Sequence, residues 1–105
     1  MNAARRGMDG DLGVFAMETK RWNVELVLTE DDNDDITTAT AVLYTDGGER
    51  RHECVGRARR NPADPAVPEI GDELAAGRAL ADLSSRLLSE GAADVARMAQ
   101  QAHQA

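Results

Sequence analysis

Aromatic side chains are scarce in this chain of 105 residues, which contains only Phe15, Trp22 and Tyr44. Alanine is abundant instead, so the core buries little apolar area per residue. A chain of this length forms one domain with a thin core. Small proteins with thin cores often compensate by oligomerisation, and we therefore expect a homodimer.

Cysteine and long apolar runs are also lacking. Cys54 is the only cysteine, which excludes an internal disulfide framework. No stretch approaches the roughly 18–20 apolar residues of a membrane span. Arg5 and Arg6 are not followed by an apolar segment, so we expect no secretory leader and a cytoplasmic location. The net charge of −7 repels nucleic acid on average.

Residues 1–16 show no sustained hydrophobic period, and the first periodic stretch follows Met17. We therefore predict a flexible N-terminal tail over residues 1–16 and one domain over residues 17–105.

Three stretches have the patterns of β-strands. Apolar residues alternate with polar ones from Trp22 to Leu28, ITTATAVLYT is rich in β-branched residues, and a third stretch follows Gly47 and Gly48, a strong hairpin signal. We predict an antiparallel three-stranded meander with strands near residues 20–30, 36–45 and 49–60. Cys54, Gly56 and Ala58 share a small-residue face of the third strand, which would let a helix backbone approach closely.

All three prolines lie in the connector NPADPAVPEIGDEL, which predicts a stiff crossover to a helix. Pro68 suits the first helical turn, and Glu69 places negative charge at the positive end of the helix. We predict a long helix over about 68–89, a break at Gly91 and a short helix over about 92–103. The predicted fold class is α+β, in the order β-β-β-α-α, with both helices on one sheet face.

The long helix has a wide apolar arc. One stripe at helical spacing contains Ile70, Leu74, Gly77, Ala81, Ser84 and Leu88. Beside it lies an apolar shoulder that consists of Leu80, Leu83 and Leu87. Because one sheet face covers so wide an arc poorly, either the last helix or a second subunit must cover the rest. The shoulder is our candidate dimer interface.

No group of residues carries a catalytic pattern. His52 and Cys54 share a strand face, but a zinc site needs at least three protein ligands, and His103 is the only other histidine. A buried cysteine beside a strand-edge histidine is the simpler interpretation. The acidic loop DDNDD has Ile36 and Val42 where a calcium loop of the EF-hand type needs glycine and glutamate. We expect no cofactor, no metal, no small-molecule substrate and no enzymatic activity.

Arginine is concentrated in the third strand, which makes it a candidate RNA- or phosphate-binding site. The residues are Arg50, Arg51, Arg57, Arg59 and Arg60. The alternation places Arg51, Arg57 and Arg59 on one face, and arginine binds phosphate well. The alternative is a solvated face paired with Glu25 and the acidic loop. No aromatic residue is interleaved as a base-stacking platform.

Three segments, KRWNVELVLTED, GRARRNPAD and VPEIGDELAAGRALADL, together resemble a small family of high-GC bacterial proteins of unknown function. The resemblance covers Met17 to about Ala102. It implies a fold like that of double-stranded-RNA-binding domains and an association with dormancy and low oxygen. Some members are likened to ribosome hibernation promoting factor.

Two functional hypotheses follow. The first is a dimeric, non-enzymatic stress or dormancy protein that acts on the ribosome or its RNA through the third-strand arginines. The second is a protein–protein interaction module without a nucleic-acid role, which uses the acidic surface and the helix shoulder.

Overall fold

The computed structural model describes residues 17–104, which form one antiparallel sheet and one long helix. The strands are β1 (Asn23–Asp31), β2 (Ile36–Tyr44) and β3 (Arg50–Arg59), and the helix is α1 (Pro68–Gln104). The strands lie in the order β1-β2-β3, so the predicted α+β meander is confirmed. The predicted tail over residues 1–16 lies outside the described residues.

Two tight loops set the register of the sheet. Between β2 and β3, Gly47 and Gly48 have φ values of 92° and 80°, and Gly48 N donates to Thr45 O at 3.0 Å. These φ values suit glycine, as the hairpin signal predicted. Between β1 and β2, Asp35 has a φ of 54°. In the resulting register Ala41 lies opposite Leu26 on one side and opposite Cys54 on the other.

The prediction of two helices was wrong, because α1 continues through Gly91 to Gln104. Within residues 17–104, positive φ occurs only at Asp35, Gly47 and Gly48, so the backbone at Gly91 stays helical. An isolated glycine costs a helix only about 1 kcal/mol relative to alanine. The good helix formers on both sides, Glu90 and Ala92, outweigh that cost.

The core is made of small side chains where α1 crosses β2 and β3. Ala75, Ala79 and Leu83 of α1 pack on the sheet. The sheet contributes the buried residues Ala39, Ala41, Leu43, Cys54 and Ala58. A Cβ built on Gly56 would lie 2.4 Å from both Ala75 O and Ala79 N. The helix backbone therefore rests directly on Gly56, which confirms the close approach predicted from the small face of β3.

The crossover from β3 to α1 is fixed by Arg60. Its backbone N donates to Asp35 O at 2.9 Å, and its Nη2 donates to Asp35 Oδ1 at 3.0 Å. Nη1 of the same guanidinium donates to Asp64 O at 2.7 Å. Arg60 thus ties the β1–β2 loop to the proline-containing connector and positions the start of α1.

The sheet supports only the first part of α1. At a rise of about 1.5 Å per residue, its 37 residues span about 55 Å, whereas strands of nine or ten residues span about 30 Å. From Gly91 to Ala102 every helix residue is exposed. In the part of the chain from 17 to 104, no helix has both the length and the apolar character that a membrane span requires.

Candidate interaction surfaces

Arg57 and Arg59 lie on the sheet face opposite α1. Their neighbours in β3, Gly56 and Ala58, point to the helix side and are buried, so the arginines point to the open side and are exposed. Arg57 pairs with Thr38 and Arg59 with Ile36 of β2. Within residues 17–104 neither guanidinium forms an ion pair. These two side chains are available to an anionic partner.

Arg51, by contrast, does not share that face. A register shift between Leu43 and Tyr44 places Tyr44 opposite Arg50 and leaves Arg51 in a bulge. Bulges redirect side chains, and the Arg51 guanidinium forms an ion pair with Glu90 on the helix side. The alternation that placed Arg51 with Arg57 and Arg59 is therefore wrong at this position.

The other two arginines of the group are held by carboxylates. Arg50 Nη1 lies 2.8 Å from Glu53 Oε1, and Arg60 is the clamp on Asp35. Of the five candidate phosphate-binding residues, the structure thus brings only Arg57 and Arg59 together with free guanidinium groups.

Glu90 joins the sheet edge to the last supported turn of α1. The hydrogen bond from Arg51 holds the pKa of the Glu90 carboxyl below its usual range, and the pKa of Arg51 is raised by the same bond. His52 Nε2 lies 3.2 Å from the second carboxylate oxygen of Glu90, Oε2. This cluster has the features of a structural tether.

Cys54 lies on the helix side of β3 with only 1% of its surface exposed. Burial raises the pKa of its thiol, which disfavours the thiolate needed by a nucleophile or metal ligand. His52 lies on the same strand face, as predicted, but its contacts are to Glu90. Over residues 17–104 there is no cluster of three or more His, Cys, Asp or Glu side chains that could hold a metal ion.

An apolar strip on β1 lies beside α1 and is not covered by it. Val24, Leu26 and Leu28 pair with the buried residues Leu43, Ala41 and Ala39, and therefore lie on the helix side of the sheet. The helix, however, packs mainly on β2 and β3 and barely touches β1.

Leu26 remains 36% exposed, and Trp22, just before the strand, is 53% exposed. We call Trp22, Val24, Leu26 and Leu28 the β1 strip. The alternation of the sequence identified these residues as one face of a strand. It did not reveal that the helix leaves them uncovered.

Acidic groups surround one end of the β1 strip. Glu30 continues its face of β1 and lies close to Asp72 of α1. A hydrogen bond with Asp72, and then the negative charge of Asp72, raise the pKa of the Glu30 carboxyl. The two carboxyls are far apart in sequence, which explains why no motif predicted the pair.

A cavity of about 370 Å³ opens beside this carboxyl pair. Its walls come from the β1–β2 loop, the connector and the first turns of α1, including Ile36, Pro65, Ile70 and Leu74. The lining is mainly apolar, with the Arg60–Asp35 pair at one side. The cavity therefore offers an apolar recess next to an acidic rim.

The predicted shoulder on α1 divides between the core and the surface. Leu83 is only 4% exposed and Leu87 packs partly against the core, so these two side chains contact the chain's own sheet. Leu80 is 39% exposed. As a candidate dimer interface, the shoulder thus has only Leu80 substantially at the surface.

The stripe from Ile70 to Leu88 has the opposite placement. All six of its residues are exposed, and Leu88 is 73% exposed. Nine residues make about 2.5 helical turns, so Leu88 lies opposite Ala79, the residue that faces the sheet. We call this line the outer stripe of α1.

Known proteins are similar to this chain in both sequence and fold. Residues 20–104 match the Rv2632c-like family. The chain belongs to that family. Relatives include the uncharacterized protein Mb1767 of Mycobacterium bovis, 42% identical over 76 residues, which are 72% of this chain and 77% of that one. The uncharacterized protein Rv2632c of Mycobacterium tuberculosis is 41% identical over the same coverage.

The crystal structure of Rv2632c resembles this Rv2632c-like protein with a TM-score of 0.63 and 35% identity. The match covers 79% of this chain and 92% of that chain. Membership of this family agrees with the resemblance seen in the sequence at the level of a family of unknown function. Membership of this family does not distinguish between the two functional hypotheses. The surfaces described above are the basis for choosing between them.

Proposed function

We propose that this Rv2632c-like protein is a non-catalytic, cytoplasmic protein–protein interaction module. Its β1 strip would receive an apolar segment of a partner protein. The observation that carries the proposal is the uncovered apolar face of β1, where Trp22 and Leu26 remain 53% and 36% exposed. Apolar residues grouped on a surface are typical of interaction sites.

The chemistry of the site favours an extended partner segment with basic flanks. Within residues 17–104 β1 is an edge strand, whose outer backbone groups can pair with a further strand. A strand added there would place alternate side chains on the β1 strip. The acidic groups at its end, Glu30, Asp31 and Asp32, would attract basic residues in the same segment and suppress acidic competitors.

Two charge substitutions on adjacent residues of β1 test this proposal. Leu26→Glu changes the β1 strip, whereas Val27→Glu introduces the same charge at an exposed position on the other sheet face. Proteins that bind the parent chain in cell extracts would be purified. Each would then be titrated by calorimetry against the parent, Leu26→Glu and Val27→Glu at two salt concentrations. We expect Leu26→Glu to weaken binding at least about tenfold and Val27→Glu to change it by no more than about twofold.

Binding should also weaken as salt rises, because of the acidic end of the strip. Equal affinities of the two variants would contradict the proposed site.

The second candidate function is ribosome binding in dormancy, as the family resemblance implied. The observation that favours it is the pair of free guanidinium groups of Arg57 and Arg59 on the open sheet face. Two phosphate contacts give a slope of about −1.8 for log affinity against log salt, following about −0.9 for each phosphate neutralised.

Ribosome co-sedimentation at low salt would compare two double variants. Arg57→Ala/Arg59→Ala should lose binding. Arg86→Ala/Arg97→Ala removes the same charge from residues paired with Asp82 and Asp94, and should retain it. If both double variants bind ribosomes equally, the arginine pair has no part in recognition.

A further inference from the structure

The outer stripe of α1 continues beyond the sheet. Because the helix is unbroken, the alternate steps of four and three residues that lead from Ile70 to Leu88 run on through Gly91, Val95, Met98 and Ala102. Every residue on this line is exposed, and none carries a charge. We call the complete line the α1 seam. A spacing of 3.5 residues is the repeat by which two helices pack side by side.

The second half of α1 needs a partner. From Gly91 to Ala102 every residue of the helix is exposed, so the sheet and the connector cover little of this segment. An isolated helix shorter than about 12–15 residues is marginal in water, and its stability normally comes from packing of an apolar face. The apolar face in this segment is the seam, with Val95 and Met98 each 69% exposed.

We propose that the α1 seam packs against the same seam of a second copy of this chain, with the two helices antiparallel. From Gly77 to Ala102 the seam faces away from the sheet, so each α1 can bind its own sheet on one side and the partner helix on the other. At its start, Ile70 and Leu74 also line the cavity beside the connector. From Ile70 to Ala102 it is about 48 Å long, and a width of about 10 Å gives roughly 500 Å² per chain. The total of roughly 1,000 Å² lies at the lower limit expected for a biological interface.

The sizes of the seam residues determine the orientation. With the helices antiparallel and fully overlapped, Leu74 lies opposite the partner's Met98, Gly77 opposite the partner's Val95 and Ser84 opposite the partner's Leu88. Most small residues thus face a large one, which fills the space between the helices evenly. The middle pair, Ala81 and the partner's Gly91, lets the backbones approach.

A parallel arrangement would place each residue opposite its own copy. The successive small positions Gly77, Ala81 and Ser84 would then leave a gap next to tightly crowded leucines. The antiparallel arrangement also lays the unsupported end of each helix on the half of the partner helix that the sheet supports. Its oppositely directed helix dipoles lie side by side, which is favourable.

The first experiment measures self-association by sedimentation equilibrium of the full chain. We expect a dimer for the parent, and Leu88→Glu should weaken it at least about tenfold because the charge lies in the centre of the seam. Gln100→Glu adds the same charge at an exposed position of α1 outside the seam and should dimerise like the parent. A parent chain that is still monomeric at a concentration about tenfold above a dissociation constant of about 1 μM would overturn the proposal.

The second experiment tests the orientation by disulfide cross-linking under mild oxidation. Gly77→Cys and Val95→Cys are made in separate chains, while the native Cys54 is buried and serves in the parent as the background control. In the antiparallel dimer each variant alone should stay uncross-linked, because its two copies lie about 27 Å apart along the axis.

An equal mixture of the two variants should form the heterodimeric disulfide. Rapid cross-linking of either variant with itself would overturn the antiparallel arrangement.

The seam and the β1 strip are tested by different variants. Loss of self-association in Leu88→Glu with partner binding intact would support the seam alone, and partner binding lost only in Leu26→Glu would support the proposed function alone.

Discussion

Replacing Gly56 by alanine probes the closest contact in the fold. The added Cβ would lie 2.4 Å from Ala75 O and from Ala79 N, and 2.9 Å from Arg78 C. Favourable contacts begin near 3.5 Å, so the methyl group is about 1 Å too close. All three neighbours are backbone atoms of α1, and no side-chain rotation relieves the clash. The helix must therefore move away from β3.

The cost of that movement can be estimated from two opposing effects. Overpacking of a well-packed core costs typically 1–3 kcal/mol, and a clash with a helix backbone belongs at about the upper end. Replacing a strand glycine by alanine returns roughly 0.5–1 kcal/mol through backbone entropy. We therefore expect Gly56→Ala to lower the free energy of unfolding by about 2 kcal/mol. For a domain of this size the midpoint of thermal unfolding should fall by roughly 8–16 °C.

The assay is urea and thermal unfolding followed by circular dichroism at a protein concentration below that of any self-association, with Gly91→Ala as the matched control. A Cβ at Gly91 meets nothing within 4 Å, so the same substitution should raise stability by up to about 1 kcal/mol through helix propensity. The double variant Gly56→Ala/Ala79→Gly should not recover stability, because the clash is with the backbone. A Gly56→Ala variant as stable as the parent would refute the close approach of α1 to β3.

Three further substitutions give results of predictable sign. Asp72 raises the pKa of Glu30 above 4.5 in the folded protein. The contribution of Glu30 to the free energy of unfolding is therefore greatest at acid pH, and it declines as the pH rises from about 4.5 through the pKa of the folded state. Glu30→Gln should therefore unfold at a higher temperature than the parent at pH 7 and at the same temperature near pH 3. A constant difference across this range would contradict the raised pKa of Glu30. Leu83→Ala should lower the free energy of unfolding by about 2–5 kcal/mol, whereas Leu80→Ala at its half-exposed position should cost less than about 1 kcal/mol in denaturant titrations. Equal effects of the two would mean that the shoulder is buried on both sides.

The sheet could be predicted from the sequence because its signals are local. Alternation in β1, β-branched residues in β2 and the Gly47–Gly48 turn each depend on neighbouring residues. The small face of β3 also pointed correctly to a close helix. These features need no knowledge of distant parts of the chain.

The face of α1 that packs on the sheet could not be predicted in the same way. An Ala-rich helix has apolar residues around much of its circumference, and hydrophobic size favoured Ile70, Leu74 and Leu88. The sheet instead selects Ala75 and Ala79, because only small side chains allow the backbone to approach Gly56. Steric fit between distant elements outweighed side-chain hydrophobicity, and the larger residues remained outside.

Two other features were hidden for related reasons. The bulge at Arg51 interrupts the period of two, and no residue type at that position announces it. The continuity of α1 through Gly91 depends on a balance of about 1 kcal/mol between glycine and its helix-forming neighbours. Both affected the candidate sites, since the bulge removes one arginine from the basic stripe and the unbroken helix extends the α1 seam.

The alanine and glycine contact between α1 and the sheet gives this domain an unusual pattern of tolerance to mutation. In a leucine-rich core, truncation is the damaging change, since it leaves a cavity. Here Ala39, Ala41, Ala75 and Ala79 have little volume to lose. Each is entirely buried, so the core has no space for a larger side chain at these positions. Saturation mutagenesis should therefore find these positions permissive to glycine and serine and closed to valine and leucine, and variation among functional variants should follow side-chain volume more closely than polarity.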